Sequence, residues 1–270
     1  MKKAFSFALS ILLSASFLHA EIFESSDTRD ILPYITQKTL VVFDLDDTVF
    51  HMPSMLGNDA WFQHHVQQEL NKGGTYDEAT QTVLTTYLLL QYLSELELID
   101  ENTAELIADL QKQETFVMAL TSRNPALCEH TKKELQRLGI YFSITCPCNQ
   151  DLDLGITHRA RHSEGIIFGA NNQKGELLLQ FFEIIGYWPE KIIFLNDKRS
   201  HLLQVSTKVE PLGIEFIGLR YSKEDERKKE FDPEIAAELL YDFKMKRGLV
   251  PLKKEKRYED GNNGKTAAKH

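Results

Sequence analysis

The sequence lacks an excess of positive charge, an internal repeat and, beyond residue 20, any long apolar run. Lys and Arg total 31 against 40 Asp and Glu, which gives a formal net charge of −9. This acidic balance argues against sequence-independent binding of nucleic acid, which depends on basic patches. We therefore expect no nucleic-acid partner, and no stable membrane span once the first residues are removed. The length of 270 residues accommodates one core domain plus an insertion.

Cysteine is also scarce, with only Cys128, Cys146 and Cys148 in the chain. An odd number leaves at least one thiol unpaired within the monomer. Cys146 and Cys148 are too close in sequence for a relaxed mutual bond, so the favoured disulfide joins Cys128 to one of them. The alternative is a tetrahedral zinc site made by Cys146, Cys148, His158 and His162, although free or disulfide-bonded cysteines are favoured over it.

Residues 1–20 have the pattern of a secretory signal peptide. Lys2 and Lys3 form a positive start, residues 4–18 are apolar and uncharged, and Ala20 is suited to the cleavage site. We expect an exported protein, either periplasmic or secreted. A retained N-terminal anchor is the alternative, but the apolar run is short for a membrane span.

Strand and helix patterns alternate along most of the remaining chain, which predicts an α/β fold with a Rossmann-like three-layer core around a parallel sheet. Residues 51–114 read instead as a helical block, and we interpret it as a cap inserted after the first strand. The core then comprises residues 21–50 and 115–248, and residues 249–270 form a polar disordered tail. The predicted strands are 40–43, 115–120, 141–145, 165–168, 191–195 and 214–219, and the predicted cap helices are 59–70, 76–96 and 101–113, the last capped by Asp100.

Three carboxylates follow the first strand within four positions. Residues 40–43 are apolar and partly β-branched, which predicts a strand buried on both faces. Asp44, Asp46 and Asp47 come directly after it. Mutually repelling acids at the end of a buried strand are explained by a bound cation. A solvated acidic turn is the alternative for this stretch considered alone.

Residues Asp44 to Thr48 resemble motif I of the haloacid dehalogenase superfamily, Asp-x-Asp-x-Thr or Val. Thr121, Lys174 and the pair Asn196-Asp197 follow in the order of that superfamily's other three motifs. One match alone is modest support, whereas four in order are strong. The chain is also similar to an uncharacterised exported branch of this superfamily from intracellular bacteria.

The resemblance assigns roles to the first motif. It implies that Asp44 is the nucleophile, forming an aspartyl-phosphate, and that Asp46 is the general acid and base. An acid at the position of Asp46 is typical of the superfamily's phosphatases and of some phosphomutases. Thr48 is expected to support the loop by hydrogen bonding, and Asp47 has no assigned role.

The resemblance also implies roles for the second and third motifs. Thr121 would hold a phosphoryl oxygen, unless its hydroxyl only caps the next helix, a role open to Ser122 as well. Ser122 and Arg123 are candidate substrate-binding residues, and Arg123 is equally well read as a solvated side chain. Lys174, at the start of a helix and followed by glycine, would offset the negative charge of the site.

The metal expected from the resemblance is Mg²⁺, which takes oxygen ligands and keeps several waters. Its ligands would be Asp44, the backbone carbonyl of Asp46, and Asp197 or Asn196. The superfamily usually has Asp-Asp or Gly-Asp at the fourth motif, so Asn196 is a departure that removes one charge.

These expectations together describe an exported Mg²⁺-dependent phosphomonoester hydrolase acting on a small phosphorylated molecule or a phosphoprotein. The alternative is a non-catalytic or weakly catalytic phospho-ligand binding protein, or a secreted effector, on the same scaffold. Asn196 is the residue that keeps this alternative open. A phosphomutase is chemically feasible but fits export poorly.

The cap contains four aromatic residues of interest, Trp61, Phe62, Tyr87 and Tyr92. They line a substrate entrance or form the core of the helical block, and we favour the core for most of them.

Overall fold

The structure, a computed structural model, describes residues 21–247. The predicted signal peptide and polar tail lie outside the described residues. The described chain divides after Phe231 into two compact units. The smaller unit contains one helix, whose first turn is capped by the Asp232 carboxylate accepting from the backbone N–H groups of Glu234 and Ile235.

The larger unit is built on a sheet of eight strands, with a separate two-stranded ribbon. Along the sheet the strand order is β1-β10-β9-β2-β5-β8-β7-β6. Strand β7 is antiparallel to both of its neighbours, β6 and β8, and all other neighbouring strands are parallel. The ribbon pairs β3 with β4. The strands are β1 (Glu21–Ser25), β2 (Thr39–Phe43), β3 (Phe50–His51), β4 (Glu97–Leu98), β5 (Phe116–Thr121), β6 (Leu152–Leu154), β7 (Ala160–Ser163), β8 (Ile166–Phe168), β9 (Lys191–Asn196) and β10 (Glu215–Tyr221).

Eight α-helices and four short 3₁₀ turns complete the described chain, and none of these helices is long and apolar enough to cross a bilayer. The helices are α1 (Asp59–Leu70), α2 (Tyr76–Leu93), α3 (Thr103–Lys112), α4 (Cys128–Arg137), α5 (Lys174–Ile185), α6 (Arg199–Val209), α7 (Asp225–Lys229) and α8 (Pro233–Lys246). The turns are Thr28–Tyr34, Pro125–Leu127, Phe142–Ile144 and Glu210–Leu212.

Both faces of the sheet are covered, which confirms the three-layer α/β prediction. Successive side chains of a strand point to opposite faces, and alternate residues of β2 accordingly belong to two different apolar clusters. Val41 and Phe43 pack in the cluster that includes apolar residues of α3 and α4. Leu40 and Val42 pack in the cluster of α5 and α6. Burial on both faces explains why the core strands read as continuous apolar runs.

The helical insertion follows the ribbon strand β3 and consists of α1 and α2. Thr75 and Glu78 form a reciprocal capping box at the start of α2, which fixes that boundary. The helix ends at Leu93 instead of residue 96, because Glu97–Leu98 pairs with β3. Helix α3 starts at Thr103, since Asp100 caps a preceding turn by accepting from the N–H of Asn102. Apolar residues of α3 belong to the same cluster as Val41 and Phe43 of β2.

One predicted strand is wrong, and the eight-stranded sheet contains three strands that the sequence did not predict. Residues 141–145 are not a strand: Phe142–Ile144 is a 3₁₀ turn that buries Phe142 and exposes Ile144. The position beside β5 belongs to β8, whose residues are all buried. Residues 146–164 contain the strands β6 and β7, which pair antiparallel with each other. Residues 21–25 form β1, which pairs in parallel with β10 at the opposite edge.

Gly175 allows α5 to lie directly against α6. A Cβ atom at this position would stand 2.1 Å from the backbone carbonyl oxygen of Gln204 in α6. The N–H of Lys174 donates to the side chain of Gln204 at 3.1 Å. The close approach of the two helices therefore fixes the first turn of α5, where Lys174 lies.

Gly175→Ala should lower stability, although alanine is the better helix former by about 0.5–1 kcal/mol. The clash with backbone atoms outweighs that gain, and we expect a net loss of about 1–3 kcal/mol in the free energy of unfolding. Chemical denaturation followed by circular dichroism measures it. Glu183→Ala, an exposed change on the same helix, is the control and should stay within about 0.5 kcal/mol. Equal or higher stability of Gly175→Ala would contradict the close contact.

Candidate active site

Asp44 lies at the carboxyl end of β2, a central strand between β5 and β9. Its N–H donates to the carbonyl of Leu195 at 2.9 Å, which extends the ladder with β9 by one residue. The side chain is only 5% exposed. Its Oδ1 accepts from the N–H of Leu45 at 2.9 Å and from Nζ of Lys174 at 2.7 Å. A buried carboxylate thus has one oxygen held by two donors.

Lys174 is the counter-charge of Asp44. Its side chain is 2% exposed, and its ammonium also donates to the carbonyl of Leu120 at 2.6 Å and lies 5.6 Å from the ring centre of Phe194. Burial lowers the pKa of Lys174, and the charge of Asp44 opposes that shift. The structure therefore brings together the residues aligned with motifs I and III.

Asp46 is held by Arg123 through two hydrogen bonds of 2.8 Å, one to each carboxylate oxygen. The guanidinium is almost fully buried, donates to Thr131 and lies over the ring of Phe50. Burial opposes its charge, but the carboxylate of Asp46 outweighs this and raises the pKa of Arg123. The interpretation of Arg123 as free or solvated is therefore wrong, because it forms a buried bidentate pair with Asp46.

Thr121 is the last residue of β5, which pairs with β2 on the side opposite β9, and Ser122 follows it. Thr121 is buried, and its hydroxyl oxygen accepts from the N–H of Arg123 at 3.1 Å. The next turn is capped by Asn124, whose side chain accepts from the N–H of Ala126. Neither Thr121 nor Ser122 is thus the cap, and both line the cavity described below.

Asn196 and Asp197 lie at the end of β9 and have different surroundings. The N–H of Asp197 donates to the hydroxyl of Thr48 at 3.1 Å, so Thr48 does support the loop as predicted. Burial and the charge of Asp44 raise the pKa of Asp197 to about 6. The side-chain oxygen of Asn196 accepts from the N–H of Lys198, and its buried Nδ2 has no hydrogen-bond partner among the described residues.

Lys228, on α7, is a site residue that sequence reasoning missed. Its Nζ lies 2.5 Å from Oδ2 of Asp197 and 3.4 Å from Oδ2 of Asp47. Burial, together with Asp197 and Asp46, raises the pKa of Asp47 to about 6, although Lys228 opposes the shift. In sequence Lys228 is one of three consecutive basic residues, and nothing there distinguishes it from a solvated charge.

A cavity of about 720 Å³ opens between the carboxyl ends of the central strands and the helical insertion. The acidic cluster lines one side, and Phe62 and Tyr87 from α1 and α2 line the other. Lys198 closes the wall by pairing with Asp59 of α1 at 3.0 Å. Its place directly after Asn196-Asp197 is the signal that could have identified it. Trp61 instead packs inside the block against Tyr87, as favoured.

Tyr92, the fourth aromatic residue singled out in the insertion, has neither role. Its side chain is largely exposed and is near the ring of His130, and it is absent from the cavity wall. The preference for a core position is therefore wrong for this residue.

The donor set around Asp44 fits a hard divalent cation such as Mg²⁺. Asp44 and Asp197 supply carboxylate oxygens, and their mutual repulsion, expressed in the raised pKa of Asp197, is relieved by a cation. Asn196 uses its side-chain oxygen locally, which favours Asp197 as the ligand from this pair. Within residues 21–247 no group of three or more His, Cys, Asp or Glu side chains is arranged to hold a metal. The expected Mg²⁺ ligand set has only two such side chains, those of Asp44 and Asp197. Its third protein ligand would be the backbone carbonyl of Asp46.

The disulfide from Cys128 and the alternative zinc site are both wrong, whereas free cysteines are among the favoured expectations. Cys128, Cys146 and Cys148 are all free. The Cys146 thiol is engaged with the carbonyl of Cys148 and the side chain of Asn149. The ring of His162 is engaged with the carbonyl of Gln150 and packs on Phe181. These local contacts replace both the disulfide and the zinc site.

A family model described as "Protein of unknown function (DUF2608)" matches residues 24–247. Similar curated proteins bear the name "Putative outer membrane protein". One from Chlamydia pneumoniae is 24% identical over 211 residues, covering 78% of this chain and 79% of its own. One from Chlamydia trachomatis serovar D is 24% identical over 206 residues, covering 76% and 77%.

Among solved structures, the chain is similar to the class C acid phosphatase from Bacillus anthracis. The TM-score is 0.34 at 14% identity, covering 78% of this chain and 81% of that one. A structure titled as a putative phosphatase from Clostridium difficile has a TM-score of 0.40 at 13% identity, covering 70% and 96%. Likeness at this level carries no argument about activity.

Asp47→Asn should stabilise the protein at pH 7.5 by up to about 3 kcal/mol. Because folding raises the pKa of Asp47 to about 6, its contribution to stability is full below about pH 4 and is lost as pH rises through 6. Asparagine does not ionise, so the protein does not lose stability at this position above pH 6. It also tolerates the left-handed backbone at φ 58°. The gain, measured by urea unfolding, should shrink toward zero at pH 4.

Asp59→Asn is the matched control with the opposite sign. Burial disfavours the charge of Asp59, but Lys198 outweighs burial and lowers its pKa. The ionised form therefore stabilises the fold at neutral pH, and Asp59→Asn should lower stability at pH 7.5. A gain for Asp47→Asn that is equal at both pH values would contradict the assigned cause.

Proposed function

Since the chain belongs to the family described as Protein of unknown function (DUF2608), we propose its function from the site: an exported, Mg²⁺-dependent phosphomonoester hydrolase that works through an aspartyl-phosphate intermediate. The observation that carries the proposal is the buried Asp44–Lys174 pair at the cavity wall. A desolvated carboxylate with one oxygen fixed by an ammonium is oriented for attack through the other.

In the first step, Oδ2 of Asp44 attacks phosphorus and the bond from phosphorus to the leaving oxygen breaks. Asp46 donates a proton to that oxygen, so the product leaves as a neutral alcohol. The hydroxyl of Thr121 and the ammonium of Lys174 stabilise the negative charge on the phosphoryl oxygens. Because Arg123 donates to both carboxylate oxygens of Asp46, proton donation requires this pair to loosen when substrate binds.

In the second step, Asp46 takes a proton from a water molecule, which attacks the phosphorus of the aspartyl-phosphate. The bond from phosphorus to Asp44 breaks, and inorganic phosphate leaves. The two hydrogen bonds from Arg123 hold the carboxylate of Asp46 in a fixed orientation for this step. Mg²⁺, held by Asp44, Asp197 and the carbonyl of Asp46, would reduce the repulsion between Asp44 and the phosphate.

The cavity of about 720 Å³ supports a small phosphorylated substrate, since it falls within the range of ordinary ligand pockets. Ser122 lines it and is the remaining candidate for contact with substrate. A phosphoprotein is accommodated only as a protruding phosphorylated side chain. The signal-peptide pattern of residues 1–20 and the relatives' outer-membrane names support export.

Asp44→Asn should lower turnover of a generic aryl phosphate by about 10³-fold or more, because it removes the nucleophile. Asparagine keeps an acceptor for Lys174 and a similar volume, so the circular-dichroism spectrum should stay that of the folded protein. The thermal midpoint should fall, because the buried ammonium of Lys174 loses its charged partner. Asp153→Asn, an exposed acid on β6, is the charge-matched control and should retain full activity. Phosphate release is measured across phosphorylated metabolites, phosphopeptides and phosphoproteins.

Retained activity of Asp44→Asn would refute the covalent mechanism. Hydrolysis of no compound by the wild-type protein, combined with specific binding of one of them, would favour the phospho-ligand binding protein on the same scaffold.

Removing divalent cations with a chelator should abolish turnover reversibly. The uncompensated repulsion between Asp44 and phosphate then opposes attack. Activity should return on adding Mg²⁺ and, because the ligands are all oxygen atoms, much less on adding Zn²⁺. Full activity after exhaustive chelation would exclude the metal from the mechanism.

A further inference from the structure

Asp44, Asp46, Asp47 and Asp197 form an acidic cluster at the carboxyl ends of β2 and β9. Three cationic side chains from different parts of the chain pair with this cluster. Lys174 pairs with Asp44 and Arg123 pairs with Asp46. The two remaining acids, Asp47 and Asp197, share Lys228. The four carboxylates thus form direct ion pairs with three cations, while Lys198, which pairs with Asp59, also attracts Asp197 from the cavity wall. The shared cation, Lys228, is the one on the carboxylate proposed to hold the metal.

Helix α7, which carries Lys228, is anchored by other residues. Arg220 binds Asp225 through two hydrogen bonds of 2.5 and 2.8 Å. Arg227 pairs with Glu224 at 2.8 Å and donates to the carbonyl of Met52. The position of α7 therefore does not depend on the contact between Lys228 and Asp197.

The lysine side chain itself has access to solvent. Its exposed fraction is 30%, against 3% for the side chain of Asp197 and 13% for that of Asp47. Four rotatable bonds let the ammonium move into water while the backbone of α7 stays in place. Asp197 has no such freedom, and leaving it charged and unpaired would be costly.

We propose that Lys228 is a displaceable internal cation, which neutralises Asp197 in the metal-free protein and must leave that carboxylate before a divalent cation can bind there. The inference rests on the proposed function only in its use of Asp197 as a metal ligand. One oxygen of Asp197 is held by the ammonium at hydrogen-bond distance. A second cation on the same carboxylate would be repelled by it, so the two cations exchange instead of binding together.

The exchange has two consequences. The fold keeps Asp197 paired without any metal, so the metal-free protein is stable. Metal affinity is reduced, because each binding event must first break the contact between Lys228 and Asp197. Removing the ammonium should therefore strengthen metal binding and weaken the metal-free fold.

The test compares Lys228→Met with Lys229→Met. Both changes remove one positive charge from α7, but Lys229 is mostly exposed and pairs only with Glu226 on its own helix. Mg²⁺ binding to chelator-treated protein is measured by isothermal titration calorimetry, and thermal midpoints are measured with and without Mg²⁺. We expect Lys228→Met to bind Mg²⁺ at least about tenfold more tightly than wild type. Its midpoint should be lower without metal and should rise more when Mg²⁺ is added.

Lys229→Met should bind Mg²⁺ within about twofold of wild type, because its charge is distant from Asp197 and screened. Lys228→Arg keeps a cation on Asp197 and provides a second variant if Lys228→Met does not fold. It should bind Mg²⁺ no more tightly than wild type.

Unchanged or weaker Mg²⁺ binding by folded Lys228→Met would overturn the inference, as would tighter binding by Lys228→Arg. Tight Mg²⁺ binding by Lys228→Met without hydrolysis of any phosphoester would support the inference while refuting the phosphatase. The readout is binding and stability, so the two proposals fail separately.

Discussion

The rest of the molecule depends on one constraint: four carboxylates at the carboxyl ends of two central strands must be neutralised. Asp44, Asp46 and Asp47 follow one strand and Asp197 another, and three of them are largely buried. Their partners come from the start of α5, the loop after β5 and helix α7. Leaving the buried ammonium of Lys174 or the buried guanidinium of Arg123 without its carboxylate costs about 3–5 kcal/mol, so these two pairs couple the site to the stability of the fold.

Strand β2 was predictable because both its faces are buried, which leaves an uninterrupted apolar run in the sequence. The same holds for β5 and β9. Strand β7 was not predictable from the sequence, because it carries Arg161 and His162 and lies in the antiparallel part of the sheet. The wrong strand at residues 141–145 has apolar and β-branched residues, but β8 competes for the same place in the sheet. Local propensity does not decide such competition.

The pairing of Asp44 with Lys174 could be anticipated, because the order of the motifs places both residues at the ends of core elements. The ion pairs of Arg123 with Asp46, and of Lys228 with Asp47 and Asp197, could not be anticipated from the sequence. These partners are 77, 181 and 31 residues apart respectively in sequence. Which cation reaches which acid depends on loop conformation and helix position, and many basic residues have an identical local pattern.

Strand β1 has a consequence for how the chain reaches its native state. It lies at the very start of the described residues, yet its only neighbour in the sheet is β10, near the end of the larger unit. Nearly the whole polypeptide must be available before this pairing can form, and closing so long a loop carries a large entropic cost. We therefore expect residues 21–25 to join the sheet late, after the central strands around β2 have assembled.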